Sequence, residues 1–155
     1  MKFTTREDVE APIDQVFEMI CDFDTYERAA MRRGAEVRRT DNLTAPGVGM
    51  CWKAAFDMRG KRRDIDIEMT SFDGPNQLGV FSRSAGLEGE GQIELLALSR
   101  NRTRVSVEFV IKPTNLSARL LVQSLKLAKT SLTKRFKLRA AQYAKSLEDR
   151  YKARA

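Results

Sequence analysis

Histidine is absent from all 155 residues, which removes the usual general base near neutral pH and the commonest metal ligand. Ser-His and Cys-His catalysis are excluded. The two cysteines, Cys21 and Cys51, are too few for a disulfide framework and lack the Cys-x-x-Cys spacing of a zinc or iron-sulfur site. No metal, no cofactor and no catalytic residue is expected. No window approaches the roughly 18 uninterrupted apolar residues that span a bilayer. The opening Met1-Lys2-Phe3-Thr4-Thr5-Arg6 offers no apolar stretch to a secretion machinery, so the expected location is cytoplasmic. Glycine-rich phosphate loops and internal repeats are also missing.

What is present is a chain with 42% apolar and 32% charged residues, enough for one domain over residues 1–155 with a real core. Its net charge of +7 is unevenly spread: residues 1–115 hold 17 Lys and Arg against 19 Asp and Glu, residues 116–155 hold 11 against 2. The body is near neutral and the tail strongly basic. Such a tail fits solubility, an anionic membrane surface or nucleic acid. Nucleic acid is disfavoured, because no stacking aromatics interleave the charges and no recognised RNA- or DNA-binding pattern appears. A line of Leu120, Leu127 and Leu138 suits packing on the first helices, a dimer contact or a membrane surface.

Phe3 to Glu10 alternates as a strand. Pro12 then opens a helix with Ile13, Val16, Phe17 and Ile20 on one face, and a second short helix is expected over Thr25 to Met31, stopped by Gly34. From Ala35 the period changes to two, predicting strands near 35–40, 50–58, 62–72, 77–84, 87–98 and 103–112. A turn at Arg59-Gly60 sets Trp52 opposite Ile67, Ala54 opposite Ile65, Lys53 opposite Asp66 and Asp57 opposite Arg62, so apolar meets apolar and each charge meets its opposite. Asp64, Asp66 and Glu68 then form a solvated face rather than a metal site. The final segment places Leu121, Leu125, Ala128, Leu132, Phe136, Ala140, Tyr143 and Leu147 on one helical face. As one straight helix from Leu116 to Ala153 it would run about 57 Å, beyond the roughly 40 Å of a domain this size. The segment is expected to break, overhang or fray after about Leu147, with a basic tail over 148–155.

The same alternation turns Trp52, Ala54, Phe56, Ile65, Ile67, Met69, Leu95, Val107 and Phe109 inward. Gly89 and Gly91 share that inward face, where missing side chains leave space or let the strand bend. Glu7 is in phase with Phe3 and Val9, which either aims a carboxylate inward, with Arg63 and Arg83 as candidate neighbours, or leaves it in water where the strand twists.

Val9-Glu10-Ala11-Pro12 leading into Val16-Phe17, then Asp22 and Tyr26, and Gly47-Val48-Gly49 before Trp52, resemble the START-like or SRPBCC superfamily. This group includes birch-pollen-allergen-like, polyketide cyclase/dehydrase-like and coenzyme-Q-binding START-like proteins. The order strand, helix pair, meander, long helix extends the likeness over nearly the whole chain. Where many relatives carry Trp or Pro after the Tyr, this chain has Glu27-Arg28. The resemblance implies an α+β helix-grip fold, a seven-stranded antiparallel sheet curved around a C-terminal helix with two short helices after the first strand. It further implies a hollow for a hydrophobic small molecule or lipid, walled by the inward strand residues above with Leu121 and Leu125 from the helix, and with Glu7 as anchor if it faces in. Two activities follow: binding or transport of such a ligand, or a polyketide cyclase/dehydrase-like enzyme working in the same cavity. The expected partners are that ligand and, transiently, an anionic membrane surface, the chain being a monomer or homodimer.

Overall fold

The computed structural model describes residues 1–58 and 60–154. Alternating side chains form seven strands: β1 (Lys2–Val9), β2 (Glu36–Arg39), β3 (Cys51–Met58), β4 (Lys61–Asp73), β5 (Gln77–Ser84), β6 (Leu87–Ser99) and β7 (Arg102–Pro113). They make one antiparallel sheet in the order β1-β7-β6-β5-β4-β3-β2. In the β3–β4 hairpin Trp52 pairs with Ile67, Lys53 with Asp66, Ala54 with Ile65 and Asp57 with Arg62, the register that the alternation predicts. Of its expected turn, Gly60 has φ +75°, while Arg59 lies outside the described residues.

Helix α1 (Ile13–Ile20) follows Pro12 and buries Val16, Phe17, Met19 and Ile20. Helix α2 (Phe23–Arg32) is longer at both ends than its weak pattern suggests, and stops before Gly34 at φ +93°. The C-terminal segment is two helices, α3 (Leu116–Leu127) and α4 (Lys129–Arg154). The break falls at Ala128 and not after Leu147, a correction with a plain cause. Beyond Leu147, which is 1% exposed, Tyr151 packs on the core. Arg150 meets Asp22 at 3.3 Å, and Arg154 meets Gln15 at 3.3 Å. The last two turns are therefore held rather than frayed. The elbow at Ala128 lets α3 pack on β7 while α4 turns along β1, where Phe136 meets Phe3 with ring centroids 5.7 Å apart.

The main core joins α1, the end of α4 and the sheet through Val9, Ala11, Val16, Met19, Ile20 and Leu147. Each of the Val, Met, Ile and Leu side chains among them contributes about 1.5–3 kcal/mol on burial. Among the described residues a separate, smaller cluster has Met50, Trp52 and Met69 as its buried members. Because α4 keeps to the β1 side and α2 packs against β2, the sheet's inner surface between them is only partly covered.

Candidate ligand cavity

That uncovered stretch is an apolar hollow of about 540 Å³, within the range that takes drug-sized molecules. Phe23, Tyr26, Glu27 and Ala30 of α2 form its roof; Val37, Trp52, Ala54, Ile67, Leu78, Val80 and Ile93 form its floor; Ile20 and Tyr143 close one end. Phe23, Tyr26 and Ala30 recur at i, i+3 and i+7, which puts them on one side of α2.

The few polar atoms in this wall already have partners. The Trp52 indole N–H donates to Glu27 Oε1 at 2.7 Å, so the Glu27-Arg28 departure supplies the acceptor that fixes the indole. Phe23 meets the Trp52 ring edge-on at 5.5 Å, and the Arg39 guanidinium lies over it at 5.5 Å. Arg39 is itself held by Asp41, whose carboxylate also accepts from the amides of Cys51 at 2.8 Å and Leu43 at 2.9 Å. The Tyr26 hydroxyl donates to the Ile20 carbonyl at 2.7 Å. A phenol has one proton, so in the contact between the two hydroxyls Tyr143 donates to Tyr26. Burial pushes both phenols above the ordinary tyrosine value, Tyr26 also through the neighbouring Tyr143. Both are neutral at physiological pH.

Of the expected wall, Trp52, Ala54 and Ile67 line the hollow. Met69 is fully buried behind Trp52, Leu95 belongs to the main core, and Val107 packs against that core. Phe56, Ile65, Leu121 and Leu125 are half-buried on other parts of the inner surface. The glycines do not open into the hollow, because neighbouring side chains take the room: a Cβ on Gly89 would stand 2.7 Å from Ser82 Oγ and 3.2 Å from the Phe109 ring, and one on Gly91 3.2 Å from Val80 and 3.7 Å from the Phe109 ring. Glu7 is half-buried in a polar groove with Thr5 and Lys137 at the β1 edge. Arg83 points outward to Glu88 at 3.7 Å. The α2 side of the wall was missed, although the Phe23, Tyr26, Ala30 spacing carried the signal. Among the described residues no group of acidic or cysteine side chains could hold a metal ion, and no helix is long and apolar enough to cross a membrane.

By sequence the chain matches no family model and no curated protein. By structure it resembles a protein of Thermus thermophilus over 100% of this chain and 99% of that one, with TM-score 0.65 and 18% identity. It also resembles the Zhui aromatase/cyclase of a Streptomyces species (TM-score 0.58, 14% identity, 75% of this chain and 70% of that one). A START superfamily protein from Mycobacterium smegmatis gives TM-score 0.55 at 13% identity, covering 86% and 95%. The chain shares with these structures a helix-grip α+β fold, a seven-stranded antiparallel sheet with a long C-terminal helix.

Proposed function

We propose that this is a binding protein for a hydrophobic small molecule or lipid, held in the hollow between α2, α4 and the sheet. The observation that carries this reading is a wall whose donors, Trp52 N–H and the two tyrosine O–H groups, are all engaged within the protein. Such a wall gains by covering apolar surface and offers nothing to a strongly polar guest. Native mass spectrometry of the purified protein tests it: a copurified apolar molecule, or one-to-one uptake of an added one, is expected. Ala54→Leu, which projects into the hollow, should abolish that uptake in a folded protein. Uptake unchanged in Ala54→Leu refutes this location.

The expected membrane contact gains support from α3. Its buried side holds Ala118 and Val122, while Leu116, Leu120 and Leu127, at i, i+4 and i+11, line the opposite side with exposures of 73%, 59% and 91%. Arg119 and Lys126 flank that outer row. We place this face against an anionic lipid surface, where leucines insert and cations meet head groups. A cytoplasmic location is part of the same proposal. Binding to phosphatidylglycerol vesicles that fades with salt and with Leu120→Gln/Leu127→Gln is expected, and equal binding by that variant refutes it.

A second reading, an aromatase/cyclase-like enzyme, is favoured by the Tyr26–Tyr143 pair and by the likeness in fold to the Zhui aromatase/cyclase. There Tyr143 would turn its proton from Tyr26 to a substrate oxygen. Loss of turnover with unchanged ligand affinity in Tyr143→Phe would support it.

A further inference from the structure

Helices α2 and α4 face each other as an antiparallel ladder. At one end Arg150 meets Asp22 at 3.3 Å, with Thr25 donating to the same carboxylate at 2.7 Å. In the middle Tyr26 meets Tyr143. At the other end the charged groups that face each other are all cationic: Arg33, Arg135 and Arg139 surround one surface hollow with the uncharged Leu138 and Gln142. Arg33 lies three residues beyond Ala30, and Arg139 four before Tyr143. Since Ala30 and Tyr143 both line the apolar hollow, Arg33 and Arg139 stand about one helical turn outside it and Arg135 about two.

This end is electrostatically unfavourable as built. Arg135 and Arg139 are a like-charge i, i+4 pair, a spacing that weakens a helix, and Arg33 faces them across the gap. None of the three guanidinium groups makes an ion pair or hydrogen bond with a described residue. No acidic residue lies between Lys129 and Leu147, and on α2 the nearest carboxylate, Glu27, receives the Trp52 indole. The next along the chain, Glu36, is taken by Arg62 at 2.8 Å. A fold that seals one end of a ladder with opposite charges and leaves three guanidinium groups together at the other has a place for an anion.

Resting on the carrier reading, we infer that the ligand is an amphiphile whose apolar body fills the hollow and whose anionic head, a phosphate or carboxylate, is bound by Arg33, Arg135 and Arg139 at its mouth. The inference names the ligand's class, which an apolar wall alone leaves open. It also gives the entry direction: the body passes between α2 and α4 at the arginine end, and the head stays in reach of water.

Isothermal titration calorimetry with dodecyl phosphate and dodecanol, both below their aggregation limits, tests it. The wild type should bind dodecyl phosphate at least about tenfold tighter than dodecanol at low salt, and the ratio should shrink as salt rises. The Arg33→Gln/Arg135→Gln/Arg139→Gln variant should lose that preference and bind dodecanol as the wild type does. All three arginines are exposed, so circular dichroism should show an unchanged fold. Inorganic phosphate at the same concentration should give no saturable heat, because the head alone forfeits the apolar contact. Dodecanol binding without a preference for the phosphate, or a preference that survives in the triple variant, overturns the head-group site and leaves the carrier reading standing. Failure of both amphiphiles to bind overturns both.

Discussion

The two ends of the inner sheet surface are built differently. Around α1 and the end of α4, Val9, Val16, Met19, Ile20 and Leu147 are between 0% and 2% exposed, and the buried Thr103 hydroxyl donates to the Ala11 carbonyl at 2.8 Å. Toward β3 and β4, Met50, Trp52 and Met69 form a thin buried layer with the hollow above it. The first region has no space left to give. The second keeps about 540 Å³ open, at the expense of contacts that a closed core would make. Stability and ligand capacity are thereby separated along one sheet.

Substitutions should break this contrast in a definite order. Leu147→Ala removes a side chain sealed in the solid end and should lower unfolding free energy by about 2–5 kcal/mol, read from denaturant midpoints. Ala54→Leu enters the hollow and should change stability by less than about 1 kcal/mol while preventing ligand uptake. A large loss of stability in Ala54→Leu would mean that the hollow closes in solution.

The pH response distinguishes the Asp41 loop beside the hollow from the tyrosine pair on its wall. Arg39, then the Cys51 and Leu43 amides, hold the Asp41 carboxyl well below its ordinary value. The lowered folded value makes this stabilisation complete above the unfolded carboxylate pKa of about 3.9 and lost as pH falls below it. Asp41→Asn should therefore weaken the fold at neutral pH and flatten its acid limb; an unchanged acid limb refutes the role. Tyr26 and Tyr143 have raised values. Their contribution is present below the unfolded tyrosine pKa of about 10 and is lost as pH rises above it. Tyr143→Phe should accordingly reduce the alkaline destabilisation seen in thermal melts. The smallest effect belongs to Leu127→Gln on the exposed elbow, within about 0.5 kcal/mol of the wild type.

How much of this was legible in the sequence follows the same division. The sheet was readable because alternation fixes both facing and register, as Trp52 against Ile67 shows. The elbow at Ala128 was not: Leu121, Leu125, Ala128 and Leu132 continue in phase through it with no Gly or Pro, so chain length implied a break and nothing placed it. The wall was half legible. Facing identified Trp52, Ala54 and Ile67, but no pattern says that the Phe109 ring folds over Gly89 and Gly91, or that α4 keeps to β1 and leaves the roof to α2. Those are matters of side-chain direction and helix placement, which periodicity does not carry.

Trp52 gives the most direct test, because it is the only tryptophan, is 8% exposed and forms part of the floor of the hollow. Its emission should be blue-shifted in the free protein and should change saturably, at one ligand per chain, as dodecanol or dodecyl phosphate is added, with Trp52→Phe as the optical control. A ligand shown by native mass spectrometry to bind one per chain while Trp52 emission stays unchanged would contradict the hollow as the binding site.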